Sequence, residues 1–227
     1  MALIVVTIVA AFTLGRAQAS SSTEAGPLDS ASLTFLGVRA GGHETLADVK
    51  SRLGATEIWE TGDASTSTSQ ICYRVPVTNG SVIILFGSSG EAAEPSGQVN
   101  HIVVYGDPRA FPYPKKRCGT LSRPPGPLRT VNGLRLGISM SEARRILGPR
   151  QLQNDQSLRY TTSQRRNLEP SDPRYSQWAA QKECFEDSSR PYFQDFASVT
   201  IKFKAGEAIF LGLSSNQSWC LNGRGDR

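Results

Sequence analysis

His43 and His101 are the only imidazoles in the chain, and neither sits in a pattern that does zinc chemistry. A metalloprotease helix needs H-E-x-x-H, so that two ring nitrogens share one helix face. Here His43-Glu44 is followed by Thr45-Leu46-Ala47, and the second histidine is absent. Gly87-Ser88-Ser89-Gly90 ends in Glu91, so the nucleophile elbow G-x-S-x-G is not completed. No Lys follows three residues after a Ser, and neither a phosphate loop nor a dinucleotide fingerprint occurs. No catalytic residue, metal or cofactor is expected. The remaining enzymatic reading is a hydrolase acting through a long polar loop that carries Tyr160, Tyr175 and Trp178.

The four cysteines are the other reactive groups: Cys72, Cys118, Cys184 and Cys220. An even number in an exported chain suggests two disulfides, and four cysteines allow three pairings. Export is expected from the N-terminus. Leu3 to Leu14 is an apolar run ahead of Ala17-Gln18-Ala19, which fits a signal peptide cleaved after Ala19. The run is shorter than the about 20 residues of a membrane span, and no Cys at the cleavage site invites a lipid. The mature chain is expected to be periplasmic or secreted, without a transmembrane anchor. Formal net charge is +5, with basic residues scattered, so a mixed surface or an acidic protein partner is expected rather than nucleic acid.

Two segments must position whatever these residues do. Thr45-Leu46-Ala47-Asp48-Val49-Lys50-Ser51-Arg52-Leu53-Gly54 aligns without gaps with Ser139-Met140-Ser141-Glu142-Ala143-Arg144-Arg145-Ile146-Leu147-Gly148. Each begins with a hydroxyl and an acid three residues later, the capping-box pattern. Each ends in Leu-Gly, where Gly accepts the conformation that stops a helix, and Pro149 forbids continuation of the second. Leu46, Val49 and Leu53 share one face, as do Met140, Ala143 and Leu147. Upstream, Val38-Arg39-Ala40-Gly41 matches Leu134-Arg135-Leu136-Gly137.

Strand-like runs follow each helix. Val82–Phe86 resembles Val199–Phe203, and His101–Gly106 resembles Ala208–Leu213. Asn79-Gly80 is a two-residue hairpin signal, and Lys204-Ala205-Gly206-Glu207 reads as the matching turn. Ile71-Cys72-Tyr73 resembles Glu183-Cys184-Phe185, which gives Cys72 and Cys184 equivalent places and Cys118 and Cys220 places after the last strands. The simplest pairing is then Cys72 with Cys118 and Cys184 with Cys220, each staple adding roughly 3–4 kcal/mol. The fold expected is α+β: two tandem copies of a short helix, or helix-loop-helix, followed by a three- or four-stranded antiparallel sheet. Residues 20–30 are loose, 31–106 form unit 1, and 107–128 are a stiff Pro-rich linker carrying Cys118. Residues 129–221 form unit 2 with a long inserted loop at 150–182, and 222–227 are a tail containing Arg224-Gly225-Asp226, a chance adhesion motif in a polar end.

The stretch Gly137–Pro149, GISMSEARRILGP, resembles the helical part of the β-lactamase inhibitory protein and of the small outer-membrane assembly lipoprotein family. The resemblance implies a helix-loop-helix with an antiparallel sheet, and protein binding across the open sheet face. The chain departs from both. It has no lipid-attachment Cys, its cysteines are placed differently, and the Asn79-Gly80 hairpin carries no acid.

Alternation assigns the faces. Val82, Ile84, Phe86, Val199, Ile201 and Phe203 should face the helices, with Ile102 and Val104 matched to Ile209 and Leu211. The opposite face then carries Ile83, Leu85, His101, Val103, Tyr105, Lys202 and Phe210, and the loop adds Tyr175 and Trp178 as partner-binding candidates. An apolar patch of this kind marks an interface, unless unit 2, the linker or a neighbouring chain covers it. The function expected is an exported non-enzymatic binder of another envelope or extracellular protein, an inhibitor or immunity-type antagonist. The alternative is a structural or assembly module of the cell envelope.

Overall fold

The computed structural model describes residues 28–54, 56–62, 67–90, 97–148, 152–154, 156–167, 169–171 and 192–219. The expected signal peptide, Tyr175, Trp178, Cys184, Cys220 and the tail lie outside the described residues.

The chain is mixed α+β and mostly β. The short strands β1 (Thr34–Phe35) and β2 (Val38–Arg39) lead into helix α1 (Leu46–Leu53). The strands β3 (Trp59–Gly62), β4 (Ser67–Val77), β5 (Gly80–Gly90) and β6 (His101–Tyr105) follow. After β7 (Gly119–Thr120) comes helix α2 (Met140–Leu147), then β8 (Leu152–Asn154), β9 (Ser157–Asn167), β10 (Tyr192–Lys204) and β11 (Glu207–Trp219). One sheet runs β3-β4-β5-β6-β11-β10-β9-β8, with β7 parallel on β4. The order is a palindrome about a seam: the last strands of the two halves, β6 and β11, pair antiparallel from His101↔Ser214 to Tyr105↔Phe210. A continuous sheet is what edge protection favours, because the last strand of each half becomes the other's partner.

The helices form where their caps dictate. Thr45 and Asp48 close a full capping box on α1: the Thr45 hydroxyl accepts from the Asp48 N–H at 3.2 Å, and Asp48 accepts the Thr45 N–H at 2.8 Å. The Thr45 N–H and the Thr45 hydroxyl, both donating to the Asp48 carboxylate at 2.8 Å, hold it below the ordinary carboxylate range. On α2 the box is half made. Ser139 accepts from the Glu142 N–H at 3.2 Å, but the Glu142 carboxylate turns to Arg135 at 3.4 Å. Leu46, Val49 and Leu53 of α1, and Ala143 and Leu147 of α2, are buried.

Both helices lie on one face of the sheet over a shared core. It joins Ile71, Tyr73, Ile84, Phe86, Ile102 and Val104 to Leu158, Tyr160, Val199, Ile201, Phe203, Leu211 and Leu213. Tyr73 donates its hydroxyl to the Gly54 carbonyl at 3.0 Å, at the end of α1, and burial pushes its phenol up to about 12. The entry segments of the halves are tied as well. The Asn132 amide donates to the Ser32 hydroxyl at 2.7 Å, and Phe35 bridges to Thr130.

Four expectations need correction. The stretch 150–182 is not simply an inserted loop, because β8 and β9 both fall within it. Cys72 lies in β4, the second strand of its meander, whereas Cys184 falls in sequence between β9 and β10. Following the register from Val82–Phe86 to Val199–Phe203, Cys72↔Leu85 answers to Ser157↔Lys202, so Ser157 and not Cys184 occupies the matching place. The turn at Lys204–Glu207 joins β10 to β11, while Asn79 belongs to the turn between β4 and β5, so the two turns are not counterparts. Ile209 is not matched to Ile102. A bulge leaves it as the extra residue between the pairs Phe203↔Ala208 and Lys202↔Phe210.

Candidate functional site

The outer face of the sheet is treated differently in its two halves. On the first half, Cys72, Ile83 and Leu85 point outward, yet Ile83 is 0% and Leu85 3% exposed. The cover is the segment after β6. It folds back across the strands, sets Phe111 and Tyr113 on the patch, and returns to β4 as β7. A disulfide from Cys118 to Cys72, spanning 46 residues of sequence, fastens it. The Leu121 N–H donates to the Arg74 carbonyl at 2.9 Å and continues the attachment. The Pro-rich segment is therefore an apolar cover, and Ile83 and Leu85 are not open to a partner. A second small core has formed where the sequence suggested an interface.

The cover organises a row of rings. Trp59 meets Tyr113 at 5.9 Å, Tyr113 meets Phe111 at 5.5 Å, Phe111 meets Tyr105 at 5.4 Å, and Tyr105 meets Phe210 at 5.4 Å between centroids. Every contact is edge-to-face, the arrangement that the ring quadrupole favours. The row is closed by cations at both ends. The Arg117 guanidinium stands 5.9 Å over Trp59, and the Lys202 ammonium 5.0 Å over Phe210. Burial, followed by the neighbouring Tyr113, raises the Tyr105 phenol. The Gln70 amide donates to the Tyr113 hydroxyl at 3.1 Å and locks the cover's far edge.

Beyond the seam the face is hydroxyl-rich, and none of the described segments crosses it. Opposed pairs share a face, so Ser198↔Ser214, Thr200↔Gly212, Arg159↔Thr200 and Thr161↔Ser198 place one continuous surface. The Ser198 and Ser214 hydroxyls hydrogen-bond at 2.7 Å. Arg159, Thr161, Ser163 and Lys202 are exposed, and Phe196 and Phe210 are half-buried. Gly212 seats the Phe210 ring closely: a Cβ there would stand 3.2 Å from the ring and make it shift.

His101, Val103 and Tyr105 line the covered side of the seam, all half-buried. The His101 ring lies over Gly87, where a Cβ would fall 2.0 Å from Nε2. Nδ1 is 2.9 Å from the Asn100 amide oxygen, which can only accept, so Nδ1 carries the proton. Burial pushes this imidazole below its ordinary range. It is a packed residue, and no carboxylate or nucleophile stands in hydrogen-bond contact with it among the described residues.

A second concave feature opens at one end of the seam. A cleft of about 1220 Å³ lies between the β4–β5 hairpin, the end of β6, the segments before α2 and the β10–β11 turn. Its apolar wall includes Val77, Val104, Leu136 and Ile209, and its rim carries Asp107, Arg109, Arg129, Arg135, Lys204 and Glu207. Arg109 pairs with Asp107 at 2.9 Å, and that hydrogen bonding holds the Asp107 carboxyl down at about 2. Sequence reasoning missed this cleft, because it is made by turns and strand ends distant in sequence.

Among the described residues no group of three His, Cys, Asp or Glu is placed to hold a metal ion. No helix among them is long and apolar enough to cross a membrane. No protein-family model, curated protein or solved structure matches the chain.

Proposed function

We propose that the chain is an exported, non-enzymatic binding protein that engages another protein through the uncovered half of its outer sheet face. One observation carries this reading. The same face is sealed by a disulfide-fastened apolar segment on one half, while no described segment covers the other, and half-buried rings lie along the boundary. A sheet face of Ser and Thr that also carries Arg159 and Lys202 suits a partner that presents carboxylates and hydrogen-bonding groups. The disulfide is in keeping with maturation in an oxidising compartment, which accords with cleavage after Ala19. The resemblance of Gly137–Pro149 to the β-lactamase inhibitory protein supports the same mode of binding.

The reading includes two tandem units fused along β6 and β11, with a second staple from Cys184 to Cys220. Peptide mapping without reduction tests that pairing; a free thiol or a mixed partner at either cysteine contradicts it. The binding face is tested by reversing its charge at exposed positions. Residues 20–227 carrying Arg159→Glu and Thr161→Glu should fail to retain an envelope partner that the parent chain holds one-to-one.

A further inference from the structure

We propose that the cleft at the end of the seam is a ligand site for a free amphiphile with an apolar chain and a single anionic head. Two of the three large apolar side chains left exposed among the described residues line it: Val77 at 40% and Ile209 at 38%. Exposed apolar groups that converge in one concavity differ from scattered ones, since a ligand can cover them together.

Ile209 is held out by backbone design. As the extra residue of the bulge it is left without a partner on β10. Its carbonyl accepts the Gly106 N–H at 2.8 Å, and the preceding Ala208 is clamped on both sides: its N–H donates to Ile138 at 3.0 Å and its carbonyl accepts from Gly137 at 2.8 Å. Gly106 has no room for a side chain, since a Cβ would lie 2.9 Å from the Ile209 oxygen and 3.3 Å from Leu136. The bulge is therefore fixed from two segments, Gly106 and Gly137–Ile138, and its product is an isoleucine that lines the cleft.

The charge around the opening selects the head group. The lining carries Arg109, Arg129, Arg135 and Lys204 against Asp107 and Glu207. Arg109 is satisfied by Asp107, and Arg135 by Glu142 at 3.4 Å. Arg129 and Lys204 enter no ion pair among the described residues. Lys204 also acts on the Asp107 carboxyl and stands in register with Glu207, so Arg129 is the cation left without an ionic partner among the described residues, with Lys204 adding positive potential beside it. An apolar wall under these cations fits a chain ending in a carboxylate. The walls are turns and strand ends, not an open strand edge, so an extended peptide finds no ladder to join.

The test is calorimetry of the disulfide-intact chain with laurate below its micelle concentration, beside lauryltrimethylammonium and butyrate. Laurate should bind saturably one-to-one, and the other two should not. Arg129→Glu with Lys204→Glu should weaken laurate about tenfold or more. Val77→Ser and Ile209→Ser should each weaken it as well; both positions are exposed, and Val77 lies outside the bulge, so a folding defect at one leaves the other informative. Equal binding of the cationic amphiphile, indifference to charge reversal, or absence of laurate binding would overturn the proposal. So would association only with phosphatidylglycerol vesicles, which would assign the cations to a bilayer surface.

Discussion

Tyr105 and Phe210 are register partners across the seam between β6 and β11, and their rings meet edge-to-face at 5.4 Å and 81°. This contact joins the covered half of the outer face to the half that no described segment covers. It is where the cover's apolar contacts give way to hydroxyls, and it ties the two meanders together on the side away from the helices. A double-mutant cycle with Tyr105→Leu and Phe210→Leu should return a coupling of about 0.5–1.5 kcal/mol in chemical denaturation. Strict additivity would mean that the rings do not act together.

Loss of the Cys72–Cys118 bond should both destabilise the chain and open the patch. Closing 46 residues corresponds to roughly 4 kcal/mol in the chain-entropy treatment. Cys72→Ala with Cys118→Ala should lower the urea midpoint and raise binding of a hydrophobic dye, as Ile83 and Leu85 become accessible. A lower midpoint without added dye binding would show that the cover stays seated without its fastening.

Stability should fall on mild acidification because of His101. Its folded pKa is depressed by burial, so the unfolded chain takes up the proton first. The contribution is present above the ordinary imidazole value of about 6.5 and is lost as pH falls from there through the folded value. The melting temperature should drop in that window, and His101→Gln should flatten the drop. An unchanged slope in the variant would assign it elsewhere.

Two backbone positions near the cleft should respond in opposite directions. Gly106→Ala places a Cβ 2.9 Å from a backbone oxygen and should destabilise by about 1–3 kcal/mol. Ala205 adopts φ 51 in the β10–β11 turn, a conformation that Asn tolerates better, so Ala205→Asn should stabilise by up to about 1 kcal/mol. Thermal melts of both variants check the pair.

What was legible in the sequence was local. Thr45, Asp48, Ser139 and the glycines after Leu53 and Leu147 announce the helices, since capping acts within four residues. The alternation Val82-Ile83-Ile84-Leu85-Phe86 gives a strand with two apolar faces, which correctly signals that something must lie on each. What lies there was not legible. Whether linker, second unit or partner covers Ile83 depends on chain reversals after Tyr105 that no periodicity encodes. Strand β9 was hidden because Ser157–Asn167 is largely polar, with only Leu158 and Tyr160 marking its buried side. The bulge at Ile209 escaped for a related reason. One extra residue inverts the apparent alternation of Ala208-Ile209-Phe210, and only the partner strand reveals it.

The most direct test of the binding role is the affinity of the disulfide-intact chain for the envelope protein it retains, measured for parent, face and cleft variants at two salt concentrations. Arg159→Glu with Thr161→Glu should weaken that affinity by tenfold or more, on the order of 1.4 kcal/mol. Added salt should weaken the parent complex, as expected for a cationic rim meeting carboxylates. Val77→Ser, in the cleft, should leave it unchanged. A complex indifferent to the face variant, or the absence of any stoichiometric partner, would contradict binding through the hydroxyl-rich half of the sheet.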